Sequence, residues 1–297
     1  MLVDLFKHMR FAPIESYQYI GFGSVAFIDF RLVHKALGIK ELVSIEATSD
    51  PDEQTRFRHN IPYAGLNLHF GKSNAVLPTL DLSRRSLIWL DYDDSLDRSM
   101  ANDLATVGRR AQSGTFVAVT FAAAFPVAEA DREKALRKLK EHFPDFIAED
   151  AKANQFDGAK FAEFGRSTLG ALLQRSVSNA DAGEEDTSKK RSVRQICFFK
   201  YRDGVPMVTV GWIVVAQAES QVFDACHFDS LPFVRTQSEA FRITIPLVTP
   251  MEVREMERRM PDLANAQDLN WIPQKERSEF GSVYRYLPYF GAVDSHI

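Results

Sequence analysis

Apolar and polar positions along the first 125 residues follow two alternating periods. Five short runs, Tyr17–Gly21, Leu42–Ile45, Leu66–Phe70, Ser86–Leu90 and Thr115–Thr120, have the length and the bounding turns of strands. Between them, apolar residues recur every three or four positions, as on one face of a helix. After the first run, Val25, Ile28, Leu32 and Val33 fall on such a face, and Gly38 supplies a left-handed stop. Ser49-Asp50-Pro51-Asp52 starts the next helix and Asn60-Ile61-Pro62 ends it. A short helix through Ala75-Val76-Leu77 stops near Pro78, and residues 97–112 form a longer one. Strands alternating with helices at this spacing predict a parallel, doubly wound sheet. Right-handed crossovers then bring the carboxyl ends of the strands to one edge, where ligands bind.

Beyond residue 125 the pattern changes. Residues 130–175 read as charged helix with an amphipathic repeat through Leu136, Leu139 and Phe143. Ser176–Ser192 is polar, almost without apolar residues, and reads as a mobile loop. Val193–Val215 is two alternating apolar runs around Asp203-Gly204, a β-hairpin in which Pro206 must sit where its missing N–H does no harm. A strand and a helix beginning near Pro250 follow, and from Trp271 the chain is rich in Tyr, Phe and Pro, like a packed arm. The expected division is a Rossmann-like domain over 1–215, with a helical and flexible insert at about 130–192, and a cap or extension over 216–297.

Composition narrows the class. The chain has 297 residues, 45% of them hydrophobic, and a net charge of −4, as expected of a globular protein. No apolar run reaches the roughly 18 residues that cross a bilayer. MLVDLFKHMRFAP has no small-residue cleavage site after a long apolar core, so the cytoplasm is the expected compartment and no membrane partner is expected. Cys197 and Cys226 are too few for a zinc site or a disulfide scaffold. The mildly acidic balance gives no general drive toward nucleic acid.

Candidate chemistry gathers at the strand tips. Gly21-Phe22-Gly23-Ser24 ends the first strand, Glu46 with Ala47 the second, Gly71-Lys72-Ser73 the third and Asp91-Tyr92-Asp93-Asp94 the fourth. A ligand approaches backbone closely where no Cβ intervenes, as at Gly21 and Gly23. Glu46, 23 residues after Gly23, is placed to accept hydrogen bonds from two ribose hydroxyls. A dinucleotide fingerprint needs a third glycine where Val25 and Ala26 stand, so an NAD-linked oxidoreductase ranks last and a nucleoside ligand without a pyrophosphate stays open. Gly71-Lys72-Ser73 is not a phosphate loop, because Leu66 occupies the position of that loop's first glycine. Asp29 is an acid in an otherwise apolar helix face with no assigned role; His34 lies about 140° further round that helix. Against these stand blander readings: a solvated Glu46, helix caps at Asp91 and Ser73, and solvated loop acids at Asp93 and Asp94.

Five parallel strand–helix units followed by an antiparallel hairpin resemble the class I S-adenosylmethionine-dependent methyltransferases, closest in motif style to small-molecule O-methyltransferases. YIGFGS resembles their acid-x-G-x-G-x-G motif, with Tyr19 in place of the acid and Val25 in place of the third glycine. LHFGKSNAVLPTL looks like their third-strand segment, and LIWLDYDD like the fourth-strand motif whose aspartate faces the methyl-transfer site. The resemblance implies an α/β fold with a mostly parallel seven-stranded sheet, and S-adenosylmethionine as cofactor with S-adenosylhomocysteine as product. It implies that Gly21, Phe22, Gly23, Ser24, Glu46, Ala47, Gly71, Lys72, Ser73 and Asp91 line the cofactor, Lys72 and Ser73 at the adenine. Asp91, with Tyr92, would orient or deprotonate an oxygen or nitrogen of an acceptor, small or macromolecular, that the sequence does not name. Metal-dependent members carry Asp-Asn where this chain reads Thr120-Phe121-Ala122-Ala123-Ala124, so no metal is expected. The Pro-Pro motif of nucleic-acid amino-methyltransferases is missing at residues 91–94, which argues against a base amine. The alternative is the same fold keeping a nucleoside pocket without chemistry and acting through protein partners; a homodimer or a protein partner is compatible with either.

Overall fold

A computed structural model describes residues 1–287; the end of the aromatic arm, 288–297, lies outside the described residues. The chain divides into two compact units, Met1–Phe241 and Arg242–Ile297. The first opens with α1 (Leu2–His8). It continues through β1 (Gln18–Gly21), α2 (Ile28–Leu37), β2 (Glu41–Glu46), α3 (Pro51–His59), β3 (Leu66–Phe70), α4 (Ser73–Val76), β4 (Ser86–Asp91), α5 (Arg98–Arg110) and β5 (Phe116–Ala122). Helices α6 (Glu129–His142) and α7 (Ala159–Ala180) precede the hairpin of β6 (Arg191–Asp203) and β7 (Val205–Ala216). Helix α8 (Ser220–Asp224) and a two-residue edge piece, β8 (Phe241–Arg242), close the series.

The sheet runs β3-β2-β1-β4-β5-β7-β6-β8. The pairs from β3 to β5 are parallel, and β7 enters antiparallel between β5 and β6. The seven sheet strands expected are all there, and the further strand expected before Pro250 is the two-residue β8, which joins the sheet as its eighth. Strand order reverses between β1 and β4, so the crevice that such sheets offer to ligands opens at the carboxyl ends of those two strands. In register, Gly21 of β1 lies beside Trp89 of β4, two residues before Asp91.

Alternation along each strand sends side chains to two cores. Ile20, Val43, Ile88, Val117 and Val119 pack against Leu104 and Val107 of α5 and Leu169 and Leu173 of α7. On the opposite face Phe6 of α1 meets Phe116 edge-on at 5.0 Å, and Tyr19 meets Phe30 of α2 at 4.9 Å. Each fully buried aromatic or aliphatic side chain of this kind contributes about 1.5–3 kcal/mol.

Two expectations change. Helix α2 starts at Ile28, not Val25, because Ser24 and Phe27 take left-handed φ values of 48° and 49°. That turn rotates the helix: Phe27, Phe30, Val33 and Leu37 are buried, while Ile28 and Leu32 are 71% and 56% exposed. Residues 176–192, expected as a mobile loop, include the last turn of α7 and the start of β6. Asp181, just past α7, holds Arg191 by a 2.5 Å ion pair and accepts the Arg191 N–H at 2.6 Å. An ion pair, with Val177 buried in the core, docks this stretch.

The C-terminal unit has α9 (Pro250–Glu257) and α10 (Gln274–Val283). Thr249 and Glu252 form a reciprocal capping box at the start of α9. Met256, Leu263, Leu269, Ile272 and Phe280 make this unit's own small core.

Candidate functional site at the β1–β4 crevice

Glu46 ends β2 with its side chain turned toward the β1 tip. Its Oε1 accepts the Gly23 N–H at 2.9 Å and the Ser44 hydroxyl at 2.6 Å, while Ser44 Oγ also accepts from Gly23 N at 3.1 Å. The backbone carbonyl of Glu46 accepts the Gly71 N–H at 3.0 Å. One residue therefore ties together the tips of β1, β2 and β3. Gly71 has φ of 143°, a conformation that favours glycine. Burial pushes the Glu46 carboxyl above its ordinary value, against its bonds from Ser44 and Gly23, and Asp29 pushes it further.

The two glycines serve the protein's own packing. A Cβ on Gly23 would lie 2.5 Å from the Phe27 ring and 2.8 Å from Ser44 Oγ; one on Gly21 would lie 3.1 Å from the Tyr19 hydroxyl and 3.3 Å from the Trp89 carbonyl oxygen. The turn thus lies flat on Tyr19, Ser44 and Phe27, with Phe22 half-buried and Ser24 exposed. Tyr19, fully buried, donates its hydroxyl to Asp29 Oδ2 at 2.5 Å. This bond gives Asp29 a partner the sequence did not supply. His34 turns elsewhere, its Nδ1 2.7 Å from the Ile39 carbonyl and its ring stacked 4.1 Å from Tyr63.

Asp91 ends β4 across the crevice, open to solvent. Desolvation pushes its carboxyl from 3.8 up to about 6; a hydrogen bond from Thr120 opposes this, and Asp93, Asp29 and Asp203 add to it. Thr120 belongs to a row of polar side chains crossing apolar strands. Trp89 Nε1 donates to Thr120 Oγ1 at 2.9 Å, Thr120 and Thr209 hydroxyls meet at 2.8 Å, and Tyr201 and Thr209 at 3.3 Å. The row ends beside Asp91, which Thr120 faces in the β4–β5 register. Sequence reasoning passed over Thr120, Thr209 and Ser44; hydroxyls inside otherwise apolar strands were the available signal.

Tyr92 and Ser73 lie on the other side of the sheet from this row. Tyr92 OH and Ser73 Oγ both donate to Asp103 Oδ2 of α5, each at 2.5 Å. Phe22 meets the Tyr92 ring edge-on at 5.2 Å. The Tyr92 hydroxyl, considered from sequence for the chemistry, is thereby committed to joining the β4 tip, α4 and α5. Lys72 and Ala47 are exposed beside these tips. Asp93 and Asp94 are exposed too, and the Asp94 carbonyl accepts the Ala122 N–H at 2.9 Å.

Two open clefts lie away from the crevice. One of about 630 Å³, lined by Asp81, Arg110, Lys189 and Arg191, opens at the opposite sheet edge. Its guanidinium groups are taken up by Asp181 and by the carbonyls of Leu77, Pro78 and Leu80. The other, about 600 Å³, lies between α7 and β6. The first also has Asp181 and Glu184 in its lining, but neither cleft has a glycine turn at a strand tip, so the β1–β4 crevice is the candidate site. Among the described residues no three His, Cys, Asp or Glu side chains gather as a metal site, and no helix is long and apolar enough to cross a membrane.

A family model described as "Putative O-methyltransferase" matches residues 1–295. The chain belongs to this O-methyltransferase family. No curated protein matches it in sequence. Among solved structures, Trm1 from Pyrococcus horikoshii in complex with S-adenosyl-L-methionine is 14% identical with a TM-score of 0.47, over 75% of this chain and 55% of that one. An arsenic(III) S-adenosylmethionine methyltransferase from Chlamydomonas reinhardtii is 12% identical, TM-score 0.38, over 70% and 66%. The SAH-bound methyltransferase PaMTH1 from Podospora anserina is 13% identical, TM-score 0.32, over 65% and 70%. This family member spans little more than half the length of the Pyrococcus protein. At such identities and TM-scores, what those proteins bind or modify is theirs alone.

Proposed function

We propose that this protein is a methyltransferase that binds S-adenosylmethionine in the β1–β4 crevice and methylates an oxygen or nitrogen of an acceptor. The observation that carries the reading is Glu46: a buried carboxylate at the β2 tip, joined to the β1 turn through Gly23, within a family whose model spans the chain. Both side-chain bonds of Glu46 go to Oε1, which leaves Oε2 for a ribose hydroxyl. Gly71, Lys72 and Ser73, joined to Glu46 through the Gly71 N–H, would border the adenine. S-adenosylmethionine supplies an electrophilic methyl group on a sulfonium. The protein itself must align an acceptor lone pair and receive its proton. Asp91 suits the second role, because a carboxyl held near 6 is ionised at neutral pH yet basic enough to take a proton. Tyr92, bonded to Asp103, would hold the β4 tip that carries Asp91.

Isothermal titration with S-adenosylmethionine and S-adenosylhomocysteine tests the reading. Wild type should bind both, and Glu46→Ala should weaken both by at least about tenfold, the worth of a hydrogen bond to a charged group. Failure of wild type to bind either compound rules it out.

A further inference from the structure

Side chains from β4, β5, β7 and β6 form a row whose protons do not balance within it. Trp89 Nε1 lies 2.9 Å from Thr120 Oγ1, the Thr120 and Thr209 hydroxyls lie 2.8 Å apart, and those of Thr209 and Tyr201 3.3 Å apart. Thr120 and Thr209 are buried, Trp89 and Tyr201 half-buried. An indole N–H only donates, so Thr120 Oγ1 accepts from Trp89 whatever else changes. The contacts of Thr209 with Thr120 and with Tyr201 each use one hydroxyl proton, so of the protons on these hydroxyls one is left over. On buried Thr209 it would have no acceptor, which is costly. It therefore emerges at an end of the row: from Thr120, which faces Asp91 in the β4–β5 register, or from Tyr201 in the hairpin.

We propose that Tyr201 is a positioning residue for Asp91, joined to it through Thr209 and Thr120 by a row of hydroxyls that reverses direction when Asp91 takes a proton. The inference rests on the proton-accepting role given to Asp91 above. While Asp91 is ionised, Tyr201 donates to Thr209, Thr209 to Thr120 and Thr120 to the carboxylate, so the row holds the charge in place. Once Asp91 is protonated, its O–H donates to Thr120, Thr120 to Thr209 and Thr209 to Tyr201, whose own proton turns outward. The hydroxyls only rotate, and no covalent bond changes within the row. In both directions each buried hydroxyl donates once and accepts at least once. The acceptor's proton stays on Asp91 until solvent, to which Asp91 is open, removes it. The acids acting on Tyr201 are Asp91 and Asp203, and those acting on Asp91 are Asp93, Asp29 and Asp203.

NMR of protein carrying tyrosine isotope-labelled at Cζ, titrated from about pH 4 to about pH 8, reads the hydrogen-bond state of the Tyr201 hydroxyl. Tyr201→Phe marks its resonance. Wild type should show one step with a midpoint of about 6, where the Asp91 carboxyl titrates. The step should vanish in Asp91→Asn, which removes the titration. It should vanish equally in Thr209→Val, which keeps Asp91 and the side chain's shape but cuts the row. Thr120→Val makes the same cut should Thr209→Val not fold. Asp203→Asn should keep the step. A flat trace in wild type overturns the inference, as does a step that survives Asp91→Asn or is lost in Asp203→Asn. A step of unchanged size in a folded variant with the row cut overturns it too, because the charge of Asp91 then acts through space. The titration needs no cofactor. Its failure in a protein that binds S-adenosylmethionine overturns the relay alone, and failure of the binding experiment overturns the methyl-transfer reading alone.

Discussion

The Gly23 amide nitrogen lies 2.9 Å from Oε1 of Glu46, a bond between the tips of adjacent strands that fixes the turn and the acid as one unit. That bond requires the turn to lie flat, and only a glycine allows it. A methyl group at position 23 would sit 2.5 Å from the buried Phe27 ring and 2.8 Å from Ser44 Oγ, the second acceptor of the same amide. Gly23→Ala is expected to destabilise the protein by about 1–3 kcal/mol, as overpacking does. It should also abolish binding of S-adenosylmethionine, because Glu46 loses its anchor. Urea unfolding and calorimetry on the same variant check both effects.

Asp91 gives a pH dependence of defined sign. Desolvation first, then Asp93, Asp29 and Asp203, push its carboxyl from 3.8 to about 6 in the folded protein. The folded state therefore binds its proton more tightly than the unfolded chain, and Asp91 costs stability as pH rises from about 4 to about 6. Its exposure screens much of that cost, leaving roughly 1 kcal/mol. Asp91→Asn should stabilise the protein by that amount at pH 7 and leave it unchanged at pH 4. Urea midpoints at the two pH values measure the difference; an equal effect at both would mean that the charge is not the cause.

The strand tips were legible because glycines and acids interrupt apolar runs, and interruptions at the end of a buried strand are visible in one sequence. Thus the positions of Gly21, Gly23, Glu46, Gly71 and Asp91 on one edge follow from the alternation alone. The buried face of α2 was not legible. Phe27, Phe30, Val33 and Leu37 form a stripe as apolar as Val25, Ile28, Leu32 and Val33, and only the left-handed turn at Ser24 and Phe27 chooses between them. Neither serine nor phenylalanine advertises that conformation. The polar row was hidden for a different reason: Thr120 and Thr209 are β-branched and look like ordinary strand residues until their hydroxyls are seen to meet. Asp29 was visible as an anomaly, but its partner Tyr19 lies on another element, and no periodicity connects them.

Asp103 sets a third expectation. It is fully buried, its Oδ2 accepts from both Ser73 and Tyr92, and its Oδ1 has no partner among the described residues. Desolvation pushes its carboxyl upward, against the two hydroxyl bonds. Tyr92→Phe and Ser73→Ala should each cost about 1–3 kcal/mol, since each leaves a buried acid with one donor fewer. Asp103→Asn in the Tyr92→Phe background should recover part of the loss, because the amide removes the charge and still accepts from Ser73. A double-mutant cycle by chemical denaturation reads the coupling.

The pair of Asp181 and Arg191 decides whether residues 181–192 are docked or loose. Their side chains are only 12% and 15% exposed, the charged atoms meet at 2.5 Å, and Arg191 Nη1 also donates to the Ala111 carbonyl at the end of α5. One guanidinium thus holds the end of α7, the start of β6 and the end of α5 together. Removing one partner of a nearly buried pair leaves the other charge without compensation, so Arg191→Met should cost about 3–5 kcal/mol. Replacing both, as Asp181→Leu with Arg191→Met, should recover much of this, because no charge is then left buried. The recovery should be incomplete, since the Arg191 N–H loses its bond to Asp181 Oδ2 as well. Hydrogen exchange separates local from global effects. In the single variant, amides of residues 181–192 should exchange faster while those of β1 and β4 keep their protection. Uniform loss of protection would instead make this ion pair part of the global fold rather than a local clasp.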